Sequence, residues 1–408
     1  MASVSSTVGI DKLAFYPGTL KLSLERLASA RGRAQNYPRE SLGVEFRSIV
    51  PFWEDAVTMS VNAANSFLTD EERDSIRLLI VGSESSFDNE KCLATWVHRF
   101  LGLNKTCRSV ELKGACYAGT AALMSAASYL SSGAIPLGGR ALVISADHSQ
   151  AHFRHAQEFG LGAGAAAALV SHSPRLADLD PRRTGFATIE APYLLRPSMT
   201  EEVGDFQSSI FSYFELFDEV VENYRFNTGV DSPLDSFDRL VMHAPFPEMP
   251  HLAIRNFLGG KRPKEAIHEL FTTKIAPSLE FARQTGSTYG ATTFYGLASL
   301  LAGGFSSGSV GMFAFGAGSH GELFSLDLHA DTESRENALE LKSALTERGE
   351  LSVEEYEWSE RRRLDLVGVK DAAIEAGAWS KVYDAHYLGR KRLVLAGIKD
   401  YHRSYEWS

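Results

Sequence analysis

Three side chains in this sequence have types and settings that could support acyl chemistry. Cys116 lies in Gly114-Ala115-Cys116-Tyr117-Ala118-Gly119-Thr120, just ahead of a small, apolar, helix-forming stretch at 121–127. A cysteine at a helix start meets unpaired N–H groups and the positive end of the helix dipole, which favour a thiolate and lower its pKa. A thiolate can carry an acyl group as a thioester. The plainer reading is a buried inert thiol, the commoner fate of a free cysteine. Glu84, in Gly82-Ser83-Glu84-Ser85-Ser86, ends an apolar run with a carboxylate, which spacing alone would make a solvated loop residue. His243, in Met242-His243-Ala244-Pro245-Phe246, ends another run with an imidazole, and a lone histidine is more often structural. Cys92 and Cys107 lack the context of Cys116 and read as structural. The cysteines form no CxxC pair and no cluster with histidine, so we expect a reducing, cytoplasmic setting, no structural disulfide and no zinc.

These residues need elements that bring them together. Mostly apolar runs at 76–82, 141–146, 239–243 and 310–315 predict short strands between helices, an α/β protein with sheets covered on both faces. Two pairs of segments look alike and fall in the same order. Residues 74–79 resemble 235–240, and Gly114-Ala115-Cys116-Tyr117-Ala118-Gly119-Thr120 resembles Gly286-Ser287-Thr288-Tyr289-Gly290-Ala291-Thr292. Such order suggests a duplicated unit, with halves at 1–173 and 235–408 and a connecting or decorating segment at 174–234. Equivalent strand ends would face one another across a pseudo-twofold axis, and ligands of α/β folds sit at the C-terminal ends of strands. Thiolate, carboxylate and imidazole would then converge as nucleophile, base and acid.

Other features read as structural. The glycines of Gly160-Leu161-Gly162-Ala163-Gly164 lack the spacing of a phosphate loop and suit close packing. Phe315-Gly316-Ala317-Gly318-Ser319 predicts a tight turn whose glycines could admit an acyl thioester or simply pack. The charged stretch 331–363, with Arg361-Arg362-Arg363, reads as a solvated helix face or loop. With 408 residues, 44% of them hydrophobic, the chain can bury a substantial core. A formal net charge of -10 disfavours non-specific nucleic-acid binding. No apolar run is long enough to span a bilayer, and residues 1–7 lack the regions of a signal peptide.

Taken together, these segments resemble the 3-hydroxy-3-methylglutaryl synthases of the thiolase superfamily, over nearly the whole chain. The similarity runs from Val8-Gly9-Ile10-Asp11-Lys12-Leu13 through the segments of Glu84 and Cys116 to Ser145-Ala146-Asp147 and Gly162-Ala163-Gly164-Ala165. It continues through Tyr193-Leu194-Leu195-Arg196-Pro197, His243-Ala244-Pro245-Phe246 and Phe315-Gly316-Ala317-Gly318. The resemblance implies a five-layered αβαβα fold, a homodimer, and catalytic roles for Cys116, Glu84 and His243. It also implies substrate-binding roles for Ser287, Tyr289, Gly316, Gly318, Tyr193 and Arg196. Ser287 is a departure, since the family usually has Asn there to hold the acceptor thioester carbonyl, and serine reaches less far.

The implied reaction starts when Cys116 takes an acetyl or short acyl group from a donor thioester. Glu84 removes an α-proton, the carbanion adds to the β-ketone of an acceptor thioester, His243 donates or orients a proton to the alkoxide, and water releases the product. No metal or organic cofactor is required, because the substrates ride on phosphopantetheine thioesters. Residues 53–58, 96–104 and 401–408 look more like the branch that uses donor and acceptor acyl carrier proteins of polyketide synthases to add β-branches. The alternative is the coenzyme A branch that makes isoprenoid precursors. A ketoacyl synthase would leave Glu84 without a task, and a non-catalytic carrier-binding homologue would not need all three catalytic residues. Carrier proteins resemble one another in having acidic surfaces, so docking on this acidic chain needs a local basic patch. The candidates are Arg33 and the group of Arg255, Lys261 and Arg262.

Overall fold

A computed structural model of the chain describes residues 7–148, 152–318 and 320–408. Residues 1–6 and Ser319, both read from sequence above, lie outside the described residues. The apolar runs form strands of one large sheet: β1 (Gly9–Tyr16), β2 (Ile76–Gly82), β3 (Arg108–Leu112), β4 (Arg140–His148), β5 (Ala163–Ser171), β6 (Ala177–Asp178), β7 (Thr184–Thr188), β8 (Arg239–Met242), β9 (Ser307–Gly316) and β10 (His320–His329). The order is β8-β9-β10-β6-β1-β5-β4-β2-β3, with β7 paired to β10. β2 runs parallel to both β3 and β4, and β8 runs parallel to β9. Short β6 pairs with β1 on one side and β10 on the other, so it joins the ladders of the two halves.

Side chains alternate along a strand, so a strand with helices on both faces is apolar throughout. Four helices show this layering: α1 (Ala56–Asn65), α2 (Ala118–Ser131), α3 (Phe206–Thr228) and α4 (Thr292–Ala302). Along β2, Leu78 and Ile80 pack in a central cluster with α2 and α4, whose residues there include Leu123, Leu130, Phe294 and Leu297. Leu79 and Val81 pack outward with Val57 and Val61 of α1. Along β8, Val241 joins the central cluster, whereas Leu240 and Met242 pack outward with Leu216, Phe217 and Val220 of α3. The result is the thiolase-like arrangement αβαβα, with α2 and α4 as the shared middle layer.

The stretch 174–234 supplies sheet strands and the outer helix α3 as well as connecting the halves. The chain end returns to the first half. The strands Leu393–Lys399 and His402–Trp407 form a hairpin, and Arg403 Nη1 and the Tyr405 hydroxyl each lie 2.8 Å from Asp55 Oδ2 at the start of α1. Of the three arginines read as solvated, Arg363 is buried and bonds His148 Nδ1 at 3.0 Å and the Val50 carbonyl. Arg363 faces inward because its helix, Val353–Asp365, packs one side against the core, with Tyr356 and Ser359 also buried.

Candidate active site

Cys116 sits in a single 3-10 turn, Ala115–Tyr117, that opens α2. Ala115 has φ 49°, a left-handed conformation that costs a non-glycine residue about 1–3 kcal/mol and persists only where its surroundings enforce it. Those surroundings are visible. The Tyr117 hydroxyl donates to Glu322 Oε2 at 2.5 Å, and Glu322 Oε1 accepts from Thr184 Oγ1 at 2.7 Å. A Cβ at Gly316 would lie 2.4 Å from the Gly114 carbonyl oxygen, so only glycine lets β9 come this close to the turn.

The second half repeats this device. The turn Tyr289–Ala291 opens α4, and Tyr289 has φ 55°. The matching turns and left-handed residues equate Ala115 with Tyr289 and Cys116 with Gly290. The segment comparison from sequence was therefore offset by two residues, because it aligned Gly114 with Gly286. The two helix starts also touch, since a Cβ at Gly119 would lie 2.7 Å from the Gly290 carbonyl oxygen.

Glu84 extends from the end of β2 into a network of charged groups. Its Oε2 lies 3.9 Å from Cys116 Sγ, and its Oε1 accepts from Arg196 Nη2 at 2.8 Å. Arg196 Nη1 also donates to the Glu84 main-chain oxygen at 3.1 Å, and Nη2 lies 2.8 Å from Glu202 Oε2. The chain of contacts continues to His152 Nε2, 2.7 Å from Glu202 Oε1. Burial opposes ionisation of Glu202, yet His152 and Arg196 hold its pKa down to about 2. On the other side, Asp147 Oδ1 accepts from the Glu84 N–H at 2.8 Å, Ser83 Oγ at 3.0 Å and Ser85 Oγ at 2.8 Å. Burial, then the Glu84 charge, push Asp147 well above the usual carboxylate range. The expected lowering of the Cys116 pKa is not found. Burial, then the charges of Glu84 and Asp147, raise it well above the ordinary thiol value. The helix start does not offset desolvation beside carboxylates, so Cys116 rests as a thiol with Glu84 Oε2 in reach of its proton.

His243 follows β8 in a different setting. Its N–H donates to the Phe313 carbonyl at 2.7 Å, and its own carbonyl accepts from the Tyr213 hydroxyl at 2.7 Å. The ring stacks on Phe315 at 6.4 Å between centroids, is 1% exposed as a residue, and among the described residues has no hydrogen-bond partner on either nitrogen. Burial pushes its pKa down to about 3, so it is a neutral imidazole near neutral pH. Phe315 precedes Gly316, which packs on the turn that carries Cys116, so β9 links His243 to Cys116.

The remaining sequence-predicted residues divide into those near this centre and those outside it. The Gly318 N–H donates to the Tyr193 hydroxyl at 3.1 Å, tying the glycine turn to the segment that carries Arg196. Tyr289 lies within electrostatic reach of Arg196. Ser287 is fully buried; its hydroxyl lies 3.2 Å from Thr292 Oγ1 and accepts from the Tyr289 N–H at 3.4 Å. Arg33, Arg255 and Lys261 are exposed, with Arg33 over the rings of Tyr37 and Phe159 and Lys261 over Phe257. Arg262 forms a two-pronged pair with Asp235 at 2.8 and 2.5 Å, which compensates its charge. Sequence reasoning missed Asp147, His152, Glu202 and Glu322. A local signal existed only for Asp147, an acidic residue near the end of an apolar run.

Comparison with known proteins adds independent findings. The family models for the N-terminal and C-terminal parts of hydroxymethylglutaryl-coenzyme A synthase match residues 6–174 and 259–405, and His243 and Arg196 lie between them. The chain is 32% identical, over 98% of its length and 99% of the relative's, to the polyketide biosynthesis 3-hydroxy-3-methylglutaryl-ACP synthase PksG of Bacillus subtilis. It is 30% identical to a hydroxymethylglutaryl-CoA synthase of Enterococcus faecalis, over 86% of this chain and 91% of that one. Among solved structures, the HMG synthase of the curacin biosynthetic pathway in complex with acetyl donor-ACP superposes with a TM-score of 0.92 at 32% identity, covering 98% of this chain and all of the other. MvaS in complex with 3-hydroxy-3-methylglutaryl coenzyme A gives 0.84 at 26% identity, with 98% and 99% covered.

Proposed function

The chain belongs to the hydroxymethylglutaryl-coenzyme A synthase family of acyl-transferring, carbon–carbon bond-forming enzymes, and from that premise we propose that it condenses an acetyl or short acyl group with a β-ketoacyl thioester carried on an acyl carrier protein, in polyketide β-branching. The observation that carries the chemistry is the 3.9 Å approach of Cys116 Sγ to Glu84 Oε2 on a strained turn. The Cys116 thiol attacks the donor thioester, and its proton passes by way of Glu84 to the departing pantetheine sulfur. The acyl group is then a thioester of Cys116, and its α-protons are more acidic than those of an ester. Glu84 removes one of them, and the carbanion adds to the acceptor's β-ketone. His243, as a neutral imidazole, donates a hydrogen bond to the developing alkoxide. The proton held by Glu84 neutralises that alkoxide, which balances the step without an imidazolium. Water then cleaves the thioester. In this reading side chains supply the proton transfers up to the hydrolysis, and no cofactor is needed.

The carrier-protein reading rests on the likeness to a relative and a solved structure named for such carriers. In it, Arg33, Arg255 and Lys261 supply the docking charge, with Arg262 spent on Asp235. A homodimer is supported by the sheet edge. β3 pairs only with β2 among the described residues, and Val110 at its centre is exposed, an edge that another chain would cover. Among the described residues, no helix is long and apolar enough to cross a membrane. The test is intact mass of the enzyme after incubation with acetyl-carrier protein or acetyl-coenzyme A, using Cys116→Ala as control. We expect acylation of Cys116 from the carrier protein in preference to coenzyme A. Preferential and salt-insensitive use of acetyl-coenzyme A would move the chain to the isoprenoid-precursor branch.

A further inference from the structure

We propose that Arg196 is a positioning residue for the base: it fixes one oxygen of Glu84 so that the other faces the acyl-carrying sulfur, and Glu202 and His152 hold Arg196 in place. The inference rests on the reading of Glu84 as the base of the condensation.

The argument is geometric. A carboxylate has two equivalent oxygens and turns easily about its last bond, so an unheld Glu84 would present neither one consistently. Arg196 grips the residue at both ends, with Nη1 on its main-chain oxygen at 3.1 Å and Nη2 on Oε1 at 2.8 Å. A planar guanidinium can do this because its donors are fixed relative to one another, whereas an ammonium is a single point of attachment. With Oε1 taken, Oε2 is the oxygen at 3.9 Å from Cys116 Sγ. The acyl methyl of an acylated Cys116 would lie within a few bonds of that sulfur.

Arg196 is itself anchored. It stands on the strand Leu194–Ser198, and Glu202 stands on the strand paired with it, Glu201–Gly204. Glu202 reaches across to Arg196 Nη2 at 2.8 Å with one oxygen and to His152 Nε2 at 2.7 Å with the other. The hairpin thus carries both the clamp and the clamp's support. A residue reserved for binding substrate would keep its guanidinium ends free, but both Nη atoms are engaged, and among the described residues Nε has no partner.

The test uses the full-length enzyme and acetyl-pantetheine as the donor, which reaches the site without carrier docking. Two rates are read: acylation of Cys116 by mass, and uptake of deuterium from D2O into the acetyl methyl, which reports proton removal by the base without condensation. For Arg196→Gln we expect deuterium uptake at saturating donor to fall ~10-fold or more, with KM within about twofold, the pattern of lost positioning instead of lost binding. Arg196→Lys should recover part of the rate, since the charge returns without the fork. Glu202→Gln should give a smaller loss of the same kind, and it covers the case in which Arg196→Gln fails to fold. Raised KM with kcat intact in Arg196→Gln would overturn the proposal in favour of a substrate contact. Unchanged deuterium uptake in both Arg196→Gln and Glu202→Gln would overturn it as well. If Glu84→Gln itself retained full deuterium uptake, the reading of Glu84 as base would be what failed.

Discussion

The two halves end corresponding strands, β2 and β8, just before Glu84 and His243 and then surround these residues differently. At the end of β2, Glu84 lies among Asp147, Arg196, Glu202 and His152, each held by at least one further group. At the end of β8, His243 is enclosed by Phe315 and the segment of Tyr213, and burial alone governs its titration. The same contrast separates the helix starts: the turn of α2 carries the thiol, whereas its counterpart before α4 carries Gly290. One strand end thus holds a carboxylate oriented by charged neighbours, and the other an imidazole kept neutral by an apolar setting. The difference comes from the surroundings, since both groups follow the end of a strand.

The contrast can be broken most severely at the first strand end. Cys116→Ala should abolish acylation, while Cys92→Ala and Cys107→Ala should leave it intact, as intact mass would show. Glu84→Gln should still acquire an acyl group, more slowly for want of a proton acceptor, and then condense ~10²-fold or more slower, as when a general base is removed. Condensation near the wild-type rate would take Glu84 out of the mechanism.

At the second strand end, His243→Ala should lower the condensation rate ~10²-fold, the usual cost of one donor to a developing oxyanion. Because its pKa is near 3, His243 should contribute no limb to the pH–rate profile between pH 5 and 8. A limb near pH 6.5 that disappears in His243→Ala would show that the imidazole titrates as an ordinary one.

The two halves should also respond oppositely to pH in their stability. His243 is neutral when folded and takes up a proton on unfolding, so its contribution is complete above about pH 6.5 and is lost as pH falls towards about 3. Fully buried, it is worth on the order of 5 kcal/mol over that window. Glu54 of the first half accepts from the Tyr16 hydroxyl at 2.5 Å and the Tyr387 hydroxyl at 2.8 Å, and burial raises its pKa from 4.5 to about 7. Its proton is bound more tightly in the folded chain, so its contribution is complete below about pH 4.5 and is lost as pH rises to about 7. That is on the order of 3 kcal/mol. Thermal unfolding of Glu54→Gln between pH 5 and 8 should lose this slope, and His243→Gln should lose the acid-side slope. Unchanged slopes would mean that both groups titrate normally.

The smallest effects belong to the surface, where exposed charges are screened over ~8–10 Å at physiological salt. Reversal of Arg33 or Lys261 should slow acylation from acetyl-carrier protein several-fold at low salt and leave acetyl-pantetheine unaffected. Reversal of Arg262 should also disturb its pair with Asp235, so its effect should include a loss of stability that the other two lack. Equal rates for carrier protein with all three variants would remove both clusters from docking.

Sequence alone was enough for the fold class, the strands, the segment of Cys116 at a helix start and the acidic and imidazole strand ends. These are local properties: an apolar run that stops, a helix former that starts, and a reactive residue between them. It could not determine the titration of Cys116, because burial and the charge of Glu84 outweigh the helix start that the spacing reveals. Nor could it determine the task of Arg196, which stands 112 residues from the carboxylate it holds. It misjudged Arg363, which lies in a charged run yet bonds His148 across 215 residues. It offset the internal repeat by two residues, because the halves share backbone geometry at Ala115 and Tyr289 more closely than residue identity. Tertiary structure decided these points because orientation and desolvation depend on groups that approach from elsewhere in the chain, and no spacing along the sequence encodes their direction.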